Sequence, residues 1–141
     1  MKCYHQLIVA ILLIVYPKPS FAEAGDSMIS HGPHLDQSVH FPDPKRASRR
    51  SGVITTPSNI VMITPGARTD DVYKLLGVPH FYEGFSVSHW NYLVNIYQGP
   101  GVAHVQCQFQ VVFDKKRRVT ATYINSKQCY EIISSKENYN Q

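Results

Sequence analysis

Three histidines between positions 31 and 40 of this 141-residue chain are of a residue type that could do chemistry. His31, His34 and His40 could offer imidazole nitrogens to a metal ion. No cysteine or carboxylate near them falls at a spacing that would complete a metal site. The sequence therefore predicts neither a bound metal nor another cofactor.

A catalytic centre needs a nucleophile or an acid–base pair that an orienting partner holds in a cleft. The acids and histidines of this chain fall instead in predicted loops, on exposed strand faces and at helix ends. His89 and His104 could meet near one end of a predicted hairpin, although two separate surface histidines are the simpler interpretation. We therefore predict no catalytic residues and a protein that acts by binding.

Residues 1–22 have the features of a secretory signal peptide. Lys2 provides positive charge, residues 7–15 are uninterruptedly apolar, and residues 20–22 (Ser-Phe-Ala) form a cleavage motif. We expect export and cleavage after this segment. A lipoprotein would carry a cysteine at the cleavage point, whereas Cys3 precedes the apolar run. The sequence thus shows no lipobox.

Cleavage would leave Cys107 and Cys129 as an even pair in a chain bound for an oxidising compartment. A disulfide between them would close a loop of roughly 20 residues and stabilise the fold by about 3 kcal/mol in the chain-entropy model. Two free, partly buried thiols are the alternative. The bond requires the chain to fold back after Lys127, because bridged Cα atoms lie within about 7 Å of each other.

The net charge gives no reason to expect nucleic acid as a partner. The whole chain has a formal charge of +4, and loss of Lys2 and Lys18 with the leader lowers the charge to +2. Nucleic-acid-binding domains are usually far more basic than this.

Residues 23–56 are poor in periodic apolar residues and rich in histidine, proline and serine, which predicts a disordered arm. A basic cluster within it consists of Lys45, Arg46, Arg49 and Arg50. This cluster could lie against anionic lipid headgroups, at about 1 kcal/mol per charge. The alternative is a short charge run that is simply solvated.

Two short helices are predicted after the arm. Thr56 and Pro57 form a capped start for the first helix, which ends before Gly66. In the second helix Thr69 is the expected N-cap, apolar residues recur at i, i+3 and i+4, and Gly77 ends the element.

The hydrophobic period then changes to two, which predicts three strands over residues 89–97, 103–113 and 119–123. Their alternation indicates one buried face and one wet face. A three-residue turn between the last two strands would set Phe113 opposite Val119. The same register would set Val111 opposite Ala121 and Cys107 opposite Asn125.

These elements predict an α+β domain over residues 57–130. In it, two short helices pack on one face of a three-stranded antiparallel sheet, in the order ααβββ. Residues 131–141 are expected to form a flexible tail.

Motifs along this domain resemble those of the BamE (SmpA/OmlA) family. Residues 65–79, PGARTDDVYKLLGVP, are similar to the family's G-M-T-x-x-x-V-x-x-x-L-G-x-P signature, and Phe85 followed by WNY at 90–92 resembles its F…W-x-Y segment. The sequence VVFD at 111–114 is similar to its V-x-F-D hairpin. The positions that carry the resemblance, apart from Phe85, are Gly66, Val72, Leu76, Gly77, Pro79, Trp90, Tyr92, Phe113 and Asp114.

Two departures from the family pattern stand out. The methionine and threonine that follow the family's glycine are Ala67 and Arg68 here, and the lipid-attached cysteine of the best-known members is missing. The paired cysteines are similar to those of the related osmotically inducible lipoproteins.

The resemblance implies a non-enzymatic accessory subunit of outer-membrane β-barrel protein assembly or envelope integrity. It implies a periplasmic location at the inner face of the outer membrane. Other subunits of the assembly machine, and anionic phospholipid, are the implied partners.

Candidate partner contacts are aromatic residues of one loop and apolar residues on the otherwise polar sheet face. They are Phe81, Tyr82, Phe85, Leu93 and Val112. Aromatic anchors of this kind often dominate interfaces. Alternatively, the two phenylalanines of the loop close the end of the core.

Two other functions remain open from the sequence. The chain could be a secreted inhibitor or accessory of a secretion or hydrolase system, which would use the sheet face to bind. It could also be a stress-response envelope protein with no stable partner.

Overall fold

The computed structural model describes residues 32–84 and 88–137. The helices and strands in chain order are β1 (His34–Leu35), a 3₁₀ turn (Pro44–Arg46), β2 (Val53–Thr55), α1 (Pro57–Val61), α2 (Thr69–Leu76), β3 (His89–Ile96), β4 (Val105–Phe113), β5 (Val119–Ile124) and α3 (Lys127–Glu137). The strands form a single mixed sheet in the order β1-β5-β4-β3-β2. The central strands pair antiparallel, and the two edge strands pair in parallel with β5 and β3.

The prediction of a three-stranded antiparallel sheet with two helices is wrong, although the α+β class is correct. The three predicted strands form the centre of a five-stranded mixed sheet, and a third helix follows them. The two added strands lie at residues 34–35 and 53–55, inside the segment for which the composition predicted disorder. Strands of two and three residues are too short to produce a period-two pattern, so only their pairing with the sheet defines them.

The first predicted helix start is confirmed. The side chain of Thr56 accepts a hydrogen bond from the Asn59 backbone N–H at 3.3 Å, and Pro57 occupies the first helical position. Proline fits there because the first turn leaves its backbone N–H groups without helical partners.

Helix α2 begins one residue earlier than predicted. Arg68, rather than Thr69, is the N-cap, and the Asp71 carboxylate accepts the backbone N–H of Arg68 at 3.0 Å. This bond is half of a capping box, and the acid also lies at the positive end of the helix dipole. Val72 and Leu76 are buried, as their spacing predicts.

The core lies between the helices and one face of the sheet. Cys129 and Ile133 of α3 join α1, α2 and the sheet in it. Trp90 packs against the same cluster as Phe109, so both aromatic residues belong to one layer, as predicted.

A β-bulge corrects the predicted register between β4 and β5. Phe113 pairs with Val119 as predicted, but Val112 then pairs with Ala121, which leaves Thr120 as the extra residue. The predictions that Val111 faces Ala121 and that Cys107 faces Asn125 are therefore wrong by one residue. Because side chains alternate, the shift turns Thr122 toward the core, where it is buried.

Within residues 32–84 and 88–137, no helix is both long enough and apolar enough to cross a membrane.

Candidate functional site

A segment that we call the belt, residues 36–52, crosses the sheet face opposite the helices. The amide of Gln108 donates to the Pro42 carbonyl at 2.6 Å, and that of Gln110 donates to the His40 carbonyl at 3.3 Å. Farther along, the Asn95 amide donates to the Ser51 carbonyl at 2.5 Å. Strand side chains thus hold the belt through its main-chain carbonyls, and any residue type can supply a carbonyl.

The belt buries part of the face that the alternation predicted to be wet. Leu93 is 2% exposed and packs with Ala47 of the belt and with Phe81 in a small apolar cluster. Asn91 and Gln110 are also buried on this face. The Gln110 amide donates from Nε2 to Asn91 Oδ1 at 3.0 Å. The expectation of a wet face is wrong at these positions, because an apparently polar strand face can be covered by chain that supplies hydrogen-bond partners.

The five predicted partner contacts therefore have different surroundings. Tyr82 is 82% exposed, Phe81 and Leu93 are buried together, and Val112 is half-buried. Phe85 lies outside the described residues. The structure brings Phe81 and Leu93 into contact and leaves Tyr82 as the accessible aromatic side chain of this set.

The loop of residues 77–84, which we call the aromatic loop, presents apolar surface to solvent. Val78 is 63% exposed, and Tyr82 in the same loop has a larger exposed fraction. Two clefts of about 640 and 330 Å³ share Phe81, Tyr82 and Glu83 in their walls. An exposed aromatic side chain between two concave surfaces is well suited to anchor a protein partner.

A polar network shapes the larger cleft. Both oxygens of the Glu83 carboxylate are engaged, one by the Asn91 amide and the other by His89 Nε2 at 3.0 Å. These two contacts fix the orientation of the Glu83 side chain and tie the loop to β3. The suggestion that His89 and His104 meet is wrong, since His89 pairs with Val112 at one end of the hairpin and His104 packs on Tyr97 at the other.

His80 joins the aromatic loop, the belt and β3. Its side chain is 3% exposed, and Nδ1 accepts the Leu93 backbone N–H at 3.0 Å. Its carbonyl accepts both the backbone N–H and the hydroxyl of Ser48, at 2.7 and 2.9 Å. Burial lowers the pKa of His80 below its ordinary value of 6.5, and the positive charge of Arg49 lowers the pKa further.

The four predicted basic residues lie on the outer side of the belt. Lys45, Arg46, Arg49 and Arg50 are all exposed, and none of the ion pairs among the described residues involves them. Asp43 caps the 3₁₀ turn that carries the first two, because its carboxylate accepts the Lys45 backbone N–H at 2.9 Å.

Of the three histidines considered as metal ligands in the sequence, His31 lies outside the described residues. His34 packs against the ring of Tyr123, with 6.1 Å between the ring centroids. The part of the chain that the structure describes contains no group of three His, Cys, Asp or Glu residues that could hold a metal ion.

The predicted disulfide is present. Cys107 and Cys129 are bonded, with their Cα atoms 6.1 Å apart, so the alternative of two free thiols is wrong. The chain folds back at α3, as the bond requires, and the bridge ties this helix to β4.

The residues that carry the family resemblance lie mainly in the core and its turns. Tyr92 is fully buried and its hydroxyl donates to the Gly77 carbonyl at 3.2 Å, while burial raises the pKa of the phenol. Trp90 meets Phe113 edge-on, with ring centroids 4.8 Å apart. Their roles in this structure are thus mainly structural.

Sequence reasoning missed His80 and the belt-binding glutamines. A signal existed in β4, where Gln106, Gln108 and Gln110 occupy successive positions of one face. Amides can donate and accept hydrogen bonds, so such a row differs from the charged residues that usually line a solvated face. Nothing in the sequence near His80 indicated its burial.

The fold is a small helix-and-sheet domain with an exposed aromatic loop and a covered second sheet face. A comparison with known families matches residues 52–123 to the outer membrane protein assembly factor BamE domain. This match covers half of the chain, from the residue before β2 to the penultimate residue of β5. The chain therefore belongs to the BamE family, as its motifs predicted.

Proposed function

We propose that this protein is a non-enzymatic accessory factor of outer-membrane β-barrel protein assembly. It acts by contact with protein subunits of the assembly machine on the periplasmic side of the outer membrane. The family match over residues 52–123 carries this proposal, because the description of the family links it to outer-membrane protein assembly.

The aromatic loop is the proposed contact surface. Tyr82 and Val78 are exposed, while Phe81 underneath packs on Leu93 and gives the loop a firm base. Desolvation of a tyrosine ring beside a concave surface contributes much of the binding energy in many interfaces.

The alternative of a secreted inhibitor has less support. Such an inhibitor would bind through the sheet face, but the belt covers Leu93 and Asn91 on that face. The aromatic loop remains accessible, which favours the accessory role.

We also propose that the basic belt residues Lys45, Arg46, Arg49 and Arg50 contact anionic phospholipid. Their common exposure supports this part of the proposal. Export through the leader of residues 1–22 would place the protein in the compartment that both contacts require.

Co-purification of the tagged, exported protein with assembly-machine subunits tests the protein contact. Tyr82→Ala should reduce the recovered subunits by about tenfold, because loss of a buried aromatic anchor typically costs more than 1 kcal/mol. Tyr97→Ala is the matched control, since Tyr97 is also exposed and follows the end of β3 that lies away from this loop.

Equal recovery with Tyr82→Ala and with the unaltered protein would exclude the aromatic loop as the contact. Failure of the unaltered protein to recover any assembly-machine subunit would contradict the proposed function itself.

A further inference from the structure

The turn between β4 and β5 carries a concentration of positive charge that the proposed function has not used. Lys115, Lys116, Arg117 and Arg118 are consecutive and exposed. Arg68, just before α2, pairs with Arg118 in an isolated bridge, so a fifth cation joins the group. We call these five residues the basic turn.

No carboxylate in the described part of the chain forms an ion pair with the basic turn. The ion pairs found there are Lys74 with Asp71, His89 with Glu83, and Lys127 with Glu131.

The acid within the turn itself serves the backbone. Asp114 Oδ1 accepts the backbone N–H groups of Lys116 and Arg118, both at 2.8 Å. In addition, Arg118 Nη1 donates to the Gly66 carbonyl at 3.0 Å, which keeps this guanidinium close to α2. Neighbouring cations on an exposed turn repel one another, and an acidic partner would relieve that repulsion.

Arg117 adds a second unfavourable feature. Its φ is +59°, in the left-handed region, and the Arg117 N–H bonds to the Asp114 carbonyl at 3.0 Å. Three-residue hairpin loops place a left-handed residue at this position, and glycine is the residue that adopts it without strain. The chain instead has a strained residue that carries another positive charge, and such departures from local preference are expected at functional sites.

We propose that the basic turn is a docking surface for an acidic segment of a partner protein, an inference that rests on the protein-contact function proposed above. Guanidinium groups match the planar geometry of carboxylates and can bind them through two hydrogen bonds. The basic turn lies at the same end of the sheet as the aromatic loop, which favours carboxylates of the protein that contacts this loop over a membrane surface.

The position of the basic turn supports a shared partner with the aromatic loop. Phe113, immediately before the turn, contacts Trp90, which lines the smaller cleft beside Tyr82. Both surfaces therefore lie at one end of the sheet. A partner that inserts an apolar group beside Tyr82 can place its acidic residues against the turn.

Binding of a labelled 12-residue peptide of alternating glutamate and serine to the exported, leader-free protein tests this inference. Arg117→Gly should weaken binding about threefold, as expected for loss of one surface charge pair, and should raise the melting temperature by removing strain. Arg117→Lys keeps the charge and should retain most of the affinity. The two effects of Arg117→Gly go in opposite directions, so reduced binding cannot be attributed to unfolding.

A matched pair of double variants separates the basic turn from net charge. Lys115→Gln with Lys116→Gln should weaken peptide binding about tenfold, whereas Lys74→Gln with Lys127→Gln, which removes the same charge elsewhere, should change it little. Equal losses in the two double variants, or unchanged binding with Arg117→Gly, would overturn the inference. Loss of binding to phosphatidylglycerol vesicles, with peptide binding intact, would assign the turn to a lipid surface and overturn it as well.

Co-purification distinguishes failure of this inference from failure of the proposed function. If Tyr82→Ala abolishes recovery of assembly-machine subunits but the turn variants recover them fully, the proposed function stands and this inference falls. If the unaltered protein recovers no subunit, the proposed function falls, and a peptide affinity that is insensitive to the turn variants would overturn this inference independently.

Discussion

At the scale of single residues, His80 combines burial with hydrogen bonds to two other parts of the chain. Protonation would place a hydrogen on Nδ1, where the ring now accepts the Leu93 N–H, and would add a cation near Arg49. The ring of Tyr92, edge-on with centroids 5.5 Å apart, offers no compensating negative charge while its phenol stays protonated. The folded state therefore favours neutral His80.

This preference predicts lower stability at acidic pH. Since the pKa of His80 is depressed on folding, the unfolded chain takes up the proton first, as pH falls through 6.5. The stabilisation is complete above that pH and declines as pH falls toward the lower pKa of the folded state. The urea midpoint should thus decrease between pH 7.5 and 5.5.

His80→Asn tests the assignment, because the asparagine oxygen can still accept the Leu93 N–H but does not titrate. Its urea midpoint should depend less on pH than that of the unaltered protein. His104→Asn, at an exposed histidine, is the control. A pH dependence that survives unchanged in His80→Asn would show that another group is responsible.

Residue-scale prediction succeeded where the reason was local. Thr56 caps α1 because its hydroxyl reaches a backbone N–H three residues away, and this geometry depends on neighbouring residues alone. The burial of His80 depends on belt residues such as Ser48, 32 positions away, and no local pattern reports it.

At the scale of elements, the belt is the feature that most changes the interpretation of the surface. Its main chain is held by side-chain amides of β3 and β4, while its own side chains remain mostly exposed. Ala47 is the apolar side chain through which it joins the small cluster under the aromatic loop. The belt thus displays its charges while covering the sheet.

The displayed charges predict binding to anionic membranes. Lys45→Gln with Arg46→Gln should reduce sedimentation of the protein with phosphatidylglycerol vesicles by on the order of tenfold, since each cation near such a surface contributes about 1 kcal/mol. Lys74→Gln with Lys127→Gln, which removes the same net charge from the helices, should have a smaller effect. Comparable losses in both double variants would mean that only net charge matters and that the belt has no special role.

Element-scale prediction was most accurate for the long strands. β3 and β4 have eight and nine residues, so their alternation extends over several repeats and indicates the core face correctly. For β5 the same logic failed after Thr120, because one extra residue reverses every later side chain.

At the scale of the whole molecule, export and disulfide formation give one combined prediction. The mature protein should have the mass of residues 23–141, two hydrogens lighter than the reduced chain because of the Cys107–Cys129 bond. Intact-mass measurement of the fractionated native protein, with and without reductant, is the test. A diacylglyceryl addition would contradict the predicted cleavage after residue 22.

The overall architecture joins the family domain to elements outside its matched range. The match ends at residue 123, so α3 and Cys129 lie beyond it, and β1 precedes it. The disulfide links this C-terminal helix to β4, while β1 pairs with β5 at one sheet edge. Segments before and after the matched range, β1 and α3, therefore contact the matched sheet through β5 and β4.

The sequence by itself determined the α+β class, the N-cap of the first helix, the core faces of β3 and β4, and the membership of the family. These features follow from hydrogen bonds and periodicities within a few residues, which the order of side chains controls directly. Only the tertiary structure decided the edge strands, the bulge at Thr120, the covered sheet face and the burial of His80. The edge strands, the covered face and the burial of His80 depend on contacts between distant segments, and the bulge depends on how β4 and β5 pack in the complete sheet.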